Sequence, residues 1–476
     1  MRILNSQRIE NIVIYIFVIY LIFWYIVGCY FSFPNAEDYS LSYPSRDYGI
    51  LDGAFDNLIN VDGRYTTNFL HGLNPLVIDW IIGYKLMNFF TLCLLFYSLY
   101  FLCNSFQFLQ KKDSIKLALL ITVVFFNSSP SPVHQFFNMS GSFVYLYPWI
   151  SVLFWLGSII RFIKIGKENW FFLSLLLMYL SFGFNELFLS INSFFVGYIV
   201  LVVEKKNINT KRKIILVLVY VIAVVTMISS QGNFSRLESH ESDRIGYDFL
   251  IILSTASKNF SLYVVNLVIK LDFLVPIFLI FRILIRYNYF KTINIKNFQH
   301  TFILFVFSFL STFIYYLPMG VKFLPTRVYS CLLPILFFFL LICFITIGQK
   351  LNKIFHEDSL NLKILSALLI ISMLFNKNSS NDIRYDLIQG NLTNFNTKMN
   401  NQINKLRMTS TKKNWKSCEL EHFDSFPKSI FLPPYLSSNR ELDYWNVAFE
   451  KYFYLDEVYL KGDTLRIRKS LNFNKL

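Results

Sequence analysis

Apolar residues in this chain recur in runs long enough to cross a bilayer, separated by short polar breaks. The first run covers Ile9–Phe31 and follows Arg2 and Arg8. A polar loop, Ser32–Asn74, comes next. Further runs follow at Leu76–Leu102, Ile115–Phe126, Phe143–Ile163, Trp170–Phe182, Leu187–Val203 and Ile214–Ser229. The series closes with Leu271–Ile285, Phe298–Leu317, Val328–Ile347 and Leu362–Phe375. At about 20 residues per crossing these predict about eleven spans, of which Ile115–Phe126 and Trp170–Phe182 are short. Tyr247–Ile269 is amphipathic and reads as a helix lying in the interface. The expected fold class is an all-α polytopic membrane protein, with residues 1–375 as the transmembrane domain.

Beyond Phe375 the pattern changes. Asn, Lys and Ser rise and no further apolar run occurs. Ile383, Leu387, Leu392, Phe395, Met399, Ile403 and Leu406 keep helical spacing. Ser429–Leu432 reads as a short strand and Leu442–Tyr454 as a helix, while Val458–Leu460 and Thr464–Ile467 read as paired strands. Residues 376–476 are therefore expected to form a small external C-terminal α/β domain.

Composition agrees with the pattern. The chain is 54% hydrophobic and 19% aromatic, with a mean hydropathy of +0.45, more apolar surface than a soluble protein of this size can hide. A net charge of +15 points toward nucleic acid only until the basic residues are placed. Lys111, Lys112 and Lys116 share one short loop, Arg161, Lys164 and Lys167 another, and Lys205, Lys206, Lys211, Arg212 and Lys213 a third. Arg282, Arg286, Lys291 and Lys296 mark a fourth, and Lys350, Lys353 and Lys363 a fifth. These are alternate loops, so the positive-inside rule places them and the N-terminus in the cytoplasm and the tail outside. A multi-pass protein of the plasma (inner) membrane is expected, with the bilayer and no nucleic acid as partner. The six cysteines show no pairing, so neither a disulfide framework nor a metal cluster is expected.

That orientation gathers the unusual polar residues on one face. Glu37-Asp38 opens the external loop and Asp62-Gly63-Arg64-Tyr65 closes it. Asn185-Glu186 stands at a tight turn between two apolar runs, and Gln231-Gly232-Asn233-Phe234-Ser235-Arg236 and Arg327 lie on the same side. A carboxylate pair at a membrane surface can deprotonate a hydroxyl or hold a divalent cation, and arginines hold phosphate through forked hydrogen bonds. Plainer readings stand beside these. Asp47, Asp52 and Asp56 read as solvated, Asp62–Arg64 as a turn, His134 as structural, and Tyr145–Trp149 as interfacial aromatics. Asn185-Glu186 equally caps a helix, and Arg236 and Arg327 equally anchor to headgroups.

Glu37-Asp38-Tyr39 after the first span resembles the first-loop motif of the GT-C superfamily of membrane glycosyltransferases. The nearer resemblance is to a bacterial GT-C-like multi-pass family without an assigned activity. It rests on Gly63-Arg64-Tyr65, Asn185-Glu186, Gly232–Arg236, Trp445-Asn446 and Lys451-Tyr452-Phe453 besides the acidic pair. Glu-Asp stands where Asp-Asp is common, and Gln231 where Pro is frequent. The resemblance implies transfer of a sugar from a polyprenyl-phosphate donor to a glycan or lipid acceptor on the extracytoplasmic face of the cell envelope. It implies Asp38 as general base, with Glu37 assisting or binding a divalent cation (Mg or Mn). Substrate would be held by Arg64, Asn185, Glu186, Asn233, Arg236 and Arg327. The alternative is a transporter or flippase of a lipid-linked saccharide, which should place charges at mid-membrane and often carries inverted repeats. No repeat is found, and Asp272 at the edge of a span is the main residue in its favour.

Overall fold

The computed structural model describes residues 2–232 except 108, 202 and 205, then 249–285, 327–337, and 377–460 except 413–415, 422, 424 and 432–443. Isolated residues 303, 306, 310, 340, 368, 371 and 375 are also described. The molecule is mostly helical. In chain order the helices are α1 (Arg2–Phe31), α2 (Ala36–Tyr48), α3 (Ile50–Asn60), α4 (Tyr65–Gly72), α5 (Ile81–Ser105) and α6 (Lys111–Ser128). Next come α7 (Met139–Tyr145), α8 (Tyr147–Ile165), α9 (Glu168–Phe182), α10 (Glu186–Leu201) and α11 (Thr210–Ile228). Then follow α12 (Phe249–Val268), α13 (Leu271–Ile285) and α14 (Arg327–Phe337). The tail holds α15 (Ser379–Ile388), α16 (Asn391–Ser410), β1 (Ser417–Leu420), α17 (Tyr444–Tyr452) and β2 (Glu457–Leu460).

Among the described residues, four stretches are long and apolar enough to cross a membrane: Asn11–Phe31, Ile81–Ser105, Met139–Ile165 and Leu250–Val268. The last differs from the sequence reading, which laid this segment in the interface. Its length and mean hydropathy of 1.2 are those of a crossing helix. Helices α9, α10 and α14 are apolar but shorter. The expected spans at Phe298–Leu317 and Leu362–Phe375 lie outside the described residues apart from isolated positions.

The polar segment expected as a loop is helical. Asn35 caps α2, its Oδ1 accepting the Asp38 amide at 2.9 Å, while Asp38 Oδ2 accepts the Asn35 amide at 3.0 Å. This reciprocal box satisfies two donors that a helix start leaves orphaned. Helix α4 is fixed at the α9–α10 turn, where Thr66 Oγ1 donates to the Leu180 carbonyl and Thr67 Oγ1 to the Phe184 carbonyl, each at 2.8 Å. The approach is close enough that a Cβ on Gly183 would stand 2.2 Å from the Tyr65 ring.

The tail packs directly on the spans and on the first segment. Tyr20 of α1 donates to Asn381 of α15 at 2.8 Å, and Ser379 donates to the Phe126 carbonyl at 2.9 Å. Helix α16 buries Leu392, Phe395, Met399, Ile403 and Leu406 along one stripe, as their spacing predicts. Helix α17 sets Phe449 and Tyr452 against the ring of Tyr39, with centroids 5.2 and 4.7 Å away. Strand β2 pairs in parallel with β1, Cys418 opposite Val458, and the intervening segment with α17 makes the crossover that parallel strands require. Thr464–Ile467, the expected partner of β2, lies outside the described residues. Ser429–Leu432 was expected as a strand. Its described part, Ser429–Phe431, instead forms a turn, closed by bonds from the Ile430 and Phe431 amides to the Pro427 carbonyl.

Candidate functional site

Two acidic centres lie at the start of this architecture. The first is Asp38, whose carboxylate is fully buried. Tyr84 Oη of α5 donates to its Oδ2 at 2.7 Å, and the Ser140 amide in the first turn of α7 donates to Oδ1 at 2.7 Å. With the Asn35 amide, three donors from three segments close around one carboxylate. Burial pushes its pKa up to about 6, against the pull of Tyr84, Asn35 and Ser140.

The second centre is a pair of carboxylates around Arg64. Arg64, the residue that precedes α4, directs Nη2 at Glu186 Oε2 at 2.9 Å and Nη1 at Asp62 Oδ2 at 3.3 Å. Burial works against the Arg64 charge, but Glu186 and Asp62 more than offset it, so the guanidinium stays protonated. Glu186 is the first residue of α10, where a negative charge meets the positive helix end, and its side chain keeps 33% of its exposure. Asn185 acts as the cap, its Oδ1 accepting the Phe188 amide at 3.1 Å while its Nδ2 donates to the Val144 carbonyl. Arg64, Asn185 and Glu186 line a small cavity of about 10 Å³ together with Tyr145 and Val328, space for a single water.

Arg327 precedes Val328, which lines that cavity. Its Nη1 lies 3.7 Å from Glu37 Oε1, and its guanidinium carbon lies 6.0 Å from the Tyr145 ring centroid. Both of these side chains are partly open, 33% for Arg327 and 42% for Glu37. Two histidines lie close by. Burial and then the Arg64 charge push His71 down to about 3, while burial and then the Arg327 charge push His134 down to about 4. Both are neutral, and His134 Nδ1 is 2.7 Å from Ser131 Oγ.

Of the residues that the sequence marks, Arg64, Asn185 and Glu186 line one cavity with Tyr145 and Val328, and Arg327, the chain neighbour of Val328, pairs with Glu37. Asp38 is adjacent but faces inward. Asn233 and Arg236 lie outside the described residues. Gly232, just before them, is so close to Asp62 that a Cβ there would stand 2.6 Å from the Asp62 amide nitrogen.

Glu37 leans to Arg327, and both Asp38 oxygens already accept from O–H or N–H donors. Among the described residues no three His, Cys, Asp or Glu side chains gather as a metal-binding set. Sequence reading passed over Tyr84 and Ser140. A tyrosine in the first turn of an apolar helix is a detectable signal, because a buried phenol needs a partner. Ser140 acts through its backbone amide, which no residue type announces. The segments Glu37-Asp38-Tyr39 and Lys451-Tyr452-Phe453 also meet, through Tyr39 and the aromatic pair Tyr452-Phe453. Against known protein families, curated proteins and solved structures, the chain gives no match.

Proposed function

We propose that this protein is a GT-C-like integral membrane glycosyltransferase of about eleven spans. It would move a sugar from a polyprenyl-phosphate donor to an acceptor hydroxyl at the extracytoplasmic face. The observation that carries this reading is two acid–arginine pairs, Glu37–Arg327 and Arg64–Glu186, built from four separate segments with both arginines near Tyr145. Transfer from a lipid phosphate needs cations for the phosphate and a carboxylate for the acceptor, and both are there.

The geometry favours Glu37 as the base over Asp38. A base must reach the proton it removes, and reach comes before pKa. Asp38 has a suitable pKa of about 6 but is sealed by three donors, whereas Glu37 is partly open. The Glu37–Arg327 contact is long and half-exposed, so it contributes little to stability and is readily exchanged. An incoming phosphate takes Arg327 as a charge-assisted partner and leaves Glu37 free. Glu37 then accepts the acceptor's hydroxyl proton as that oxygen bonds to the anomeric carbon. The anomeric carbon–oxygen bond to phosphate breaks, its electron pair leaves on the phosphate, and the configuration inverts. Arg327 meets the charge that develops on the leaving group. Asp38 is then a positioning residue that fixes the start of α2, and so the direction of its neighbour Glu37.

The test is transfer of radiolabelled hexose from polyprenyl phosphate in vesicles carrying the full chain. Glu37→Gln should lower turnover by about 10²–10⁴-fold, the usual share of a general base, with an unchanged melting temperature. Full transfer by Glu37→Gln would remove the base assignment. Wild-type protein that moves the lipid across the vesicle without cleaving it would establish the transporter instead.

A further inference from the structure

Away from the acid–arginine pairs, a groove of about 590 Å³ opens where α1, α5 and α16 meet. Its deep walls are apolar: Ile26 of α1 faces Ile82, Leu86 and Phe89 of α5. These two helices are among the four with the length and composition of membrane crossings. The third wall is polar. Helix α16 presents Asn396, Asn400 and Asn404 at four-residue intervals, a row of amides along the face beside its buried apolar stripe.

Lys85 stands between the two surfaces. It lies one turn inside α5, in a helix whose first turn contains no acidic residue. Its Nζ donates to the Tyr30 carbonyl at 2.6 Å, lies 3.5 Å from Asn396 Oδ1, and sits 4.2 Å over the Phe33 ring. Among the described residues no carboxylate lies within ion-pair distance of it. Arg407 at the groove's rim differs, since both oxygens of Asp79 hold it at 2.9 and 3.0 Å. Among the described residues, Lys85 is therefore a positive charge without a carboxylate partner at the mouth of an apolar slot. Near the end of a crossing helix a lysine carries its ammonium to the interface, at the depth of the lipid headgroups. An ammonium has three donors, and here one is used well and one weakly.

We propose that this groove binds an anionic membrane lipid, with an acyl chain between α1 and α5 and the headgroup phosphate on Lys85. The amides of Asn396, Asn400 and Asn404 donate to the headgroup's remaining oxygens. The volume suits a headgroup and the upper part of one chain, the rest lying in the bilayer. The apolar walls separate this occupant from a free phosphate, which would leave them wet. Binding here also clamps α16 to the two spans, joining the tail to the bilayer edge.

The experiment uses the full chain in nanodiscs of phosphatidylcholine with or without phosphatidylglycerol, and native mass spectrometry of the protein after extraction. Wild type should retain phosphatidylglycerol and not phosphatidylcholine. Lys85→Gln should reduce retention about tenfold, and Lys85→Arg should restore most of it. Asn400→Trp, at an exposed position that blocks the groove without disturbing the core, should also lose the lipid. Equal retention of both lipids, or unchanged retention by both Lys85→Gln and Asn400→Trp, overturns the proposal. Displacement of the lipid by millimolar inorganic phosphate would assign the site to a soluble anion and equally overturn it.

Discussion

Glu37 and Asp38 are consecutive, chemically alike, and placed in opposite environments. Around Asp38 the protein has supplied a donor from the helix cap, a phenol from α5 and an amide from α7, and no solvent reaches the group. Around Glu37 it has supplied one long contact to a half-open arginine. The Arg64 centre lies between these extremes, with a buried cation, a buried Asp62 and a Glu186 that keeps a third of its exposure. The comparison shows how one helix start can serve both purposes. Reciprocal capping turns the third residue of the helix inward to its own N-terminus and leaves the second free to face outward. The inward group stabilises, and the outward one is available for chemistry.

The sharpest way to break this contrast is Asp38→Ala. It removes the acceptor of three hydrogen bonds and orphans the Ser140 and Asn35 amides in a dry site, so a loss of about 3 kcal/mol or more is expected. Thermal unfolding in detergent should show the loss, and a melting temperature within a degree of wild type would mean that the site is not closed. Arg64→Gln comes next. It leaves Asp62 and Glu186 facing each other without a cation, and about 2–3 kcal/mol is expected, below the range for fully buried pairs because Glu186 is partly solvated. Restoration by Asp62→Asn in the same chain would show that unpaired charge is the cause.

Acidity sharpens the comparison further. Asp38, raised from 3.8 to about 6, binds its proton more tightly folded than unfolded, so its contribution falls as pH rises across that window. His71 and His134, lowered from 6.5 to about 3 and about 4, are held neutral, so their contribution is lost as pH falls below 6.5. The histidines depart further from their ordinary values. The melting temperature is therefore expected to fall between pH 6.5 and 4, and a rise on acidification would contradict this balance. The smallest effect belongs to Arg327→Gln, which should change stability by less than about 1 kcal/mol. The same variant should weaken donor binding, read as a higher KM in the transfer assay, and an unchanged KM would detach Arg327 from the phosphate.

Much of this protein is legible in its sequence, and for a definite reason. A bilayer tests each residue of a spanning helix for apolarity, so Asn11–Phe31, Ile81–Ser105 and Met139–Ile165 stand out from composition alone. Local hydrogen-bond chemistry is legible too. Asn185 as a cap and the stripe of α16 follow from spacing within a few residues. The helical character of residues 36–72 was equally encoded, in the Asn35–Asp38 box, but its polarity reads as a loop because these helices bury little apolar surface.

What only tertiary structure decided is which neighbour each of these groups meets. Tyr84 and Ser140 reach Asp38 from 46 and 102 residues away, and Arg407 meets Asp79 across 328. Strand β2 pairs with β1 on the far side of α17, and Tyr39 packs on an aromatic face from the tail. Side-chain type fixes what a residue can donate, accept or bury, and the bilayer or a helix start then acts on it locally. Whether a carboxylate ends sealed by donors or open beside an arginine depends on packing between distant segments, and neither residue of Glu37-Asp38 carries that information in its own neighbourhood.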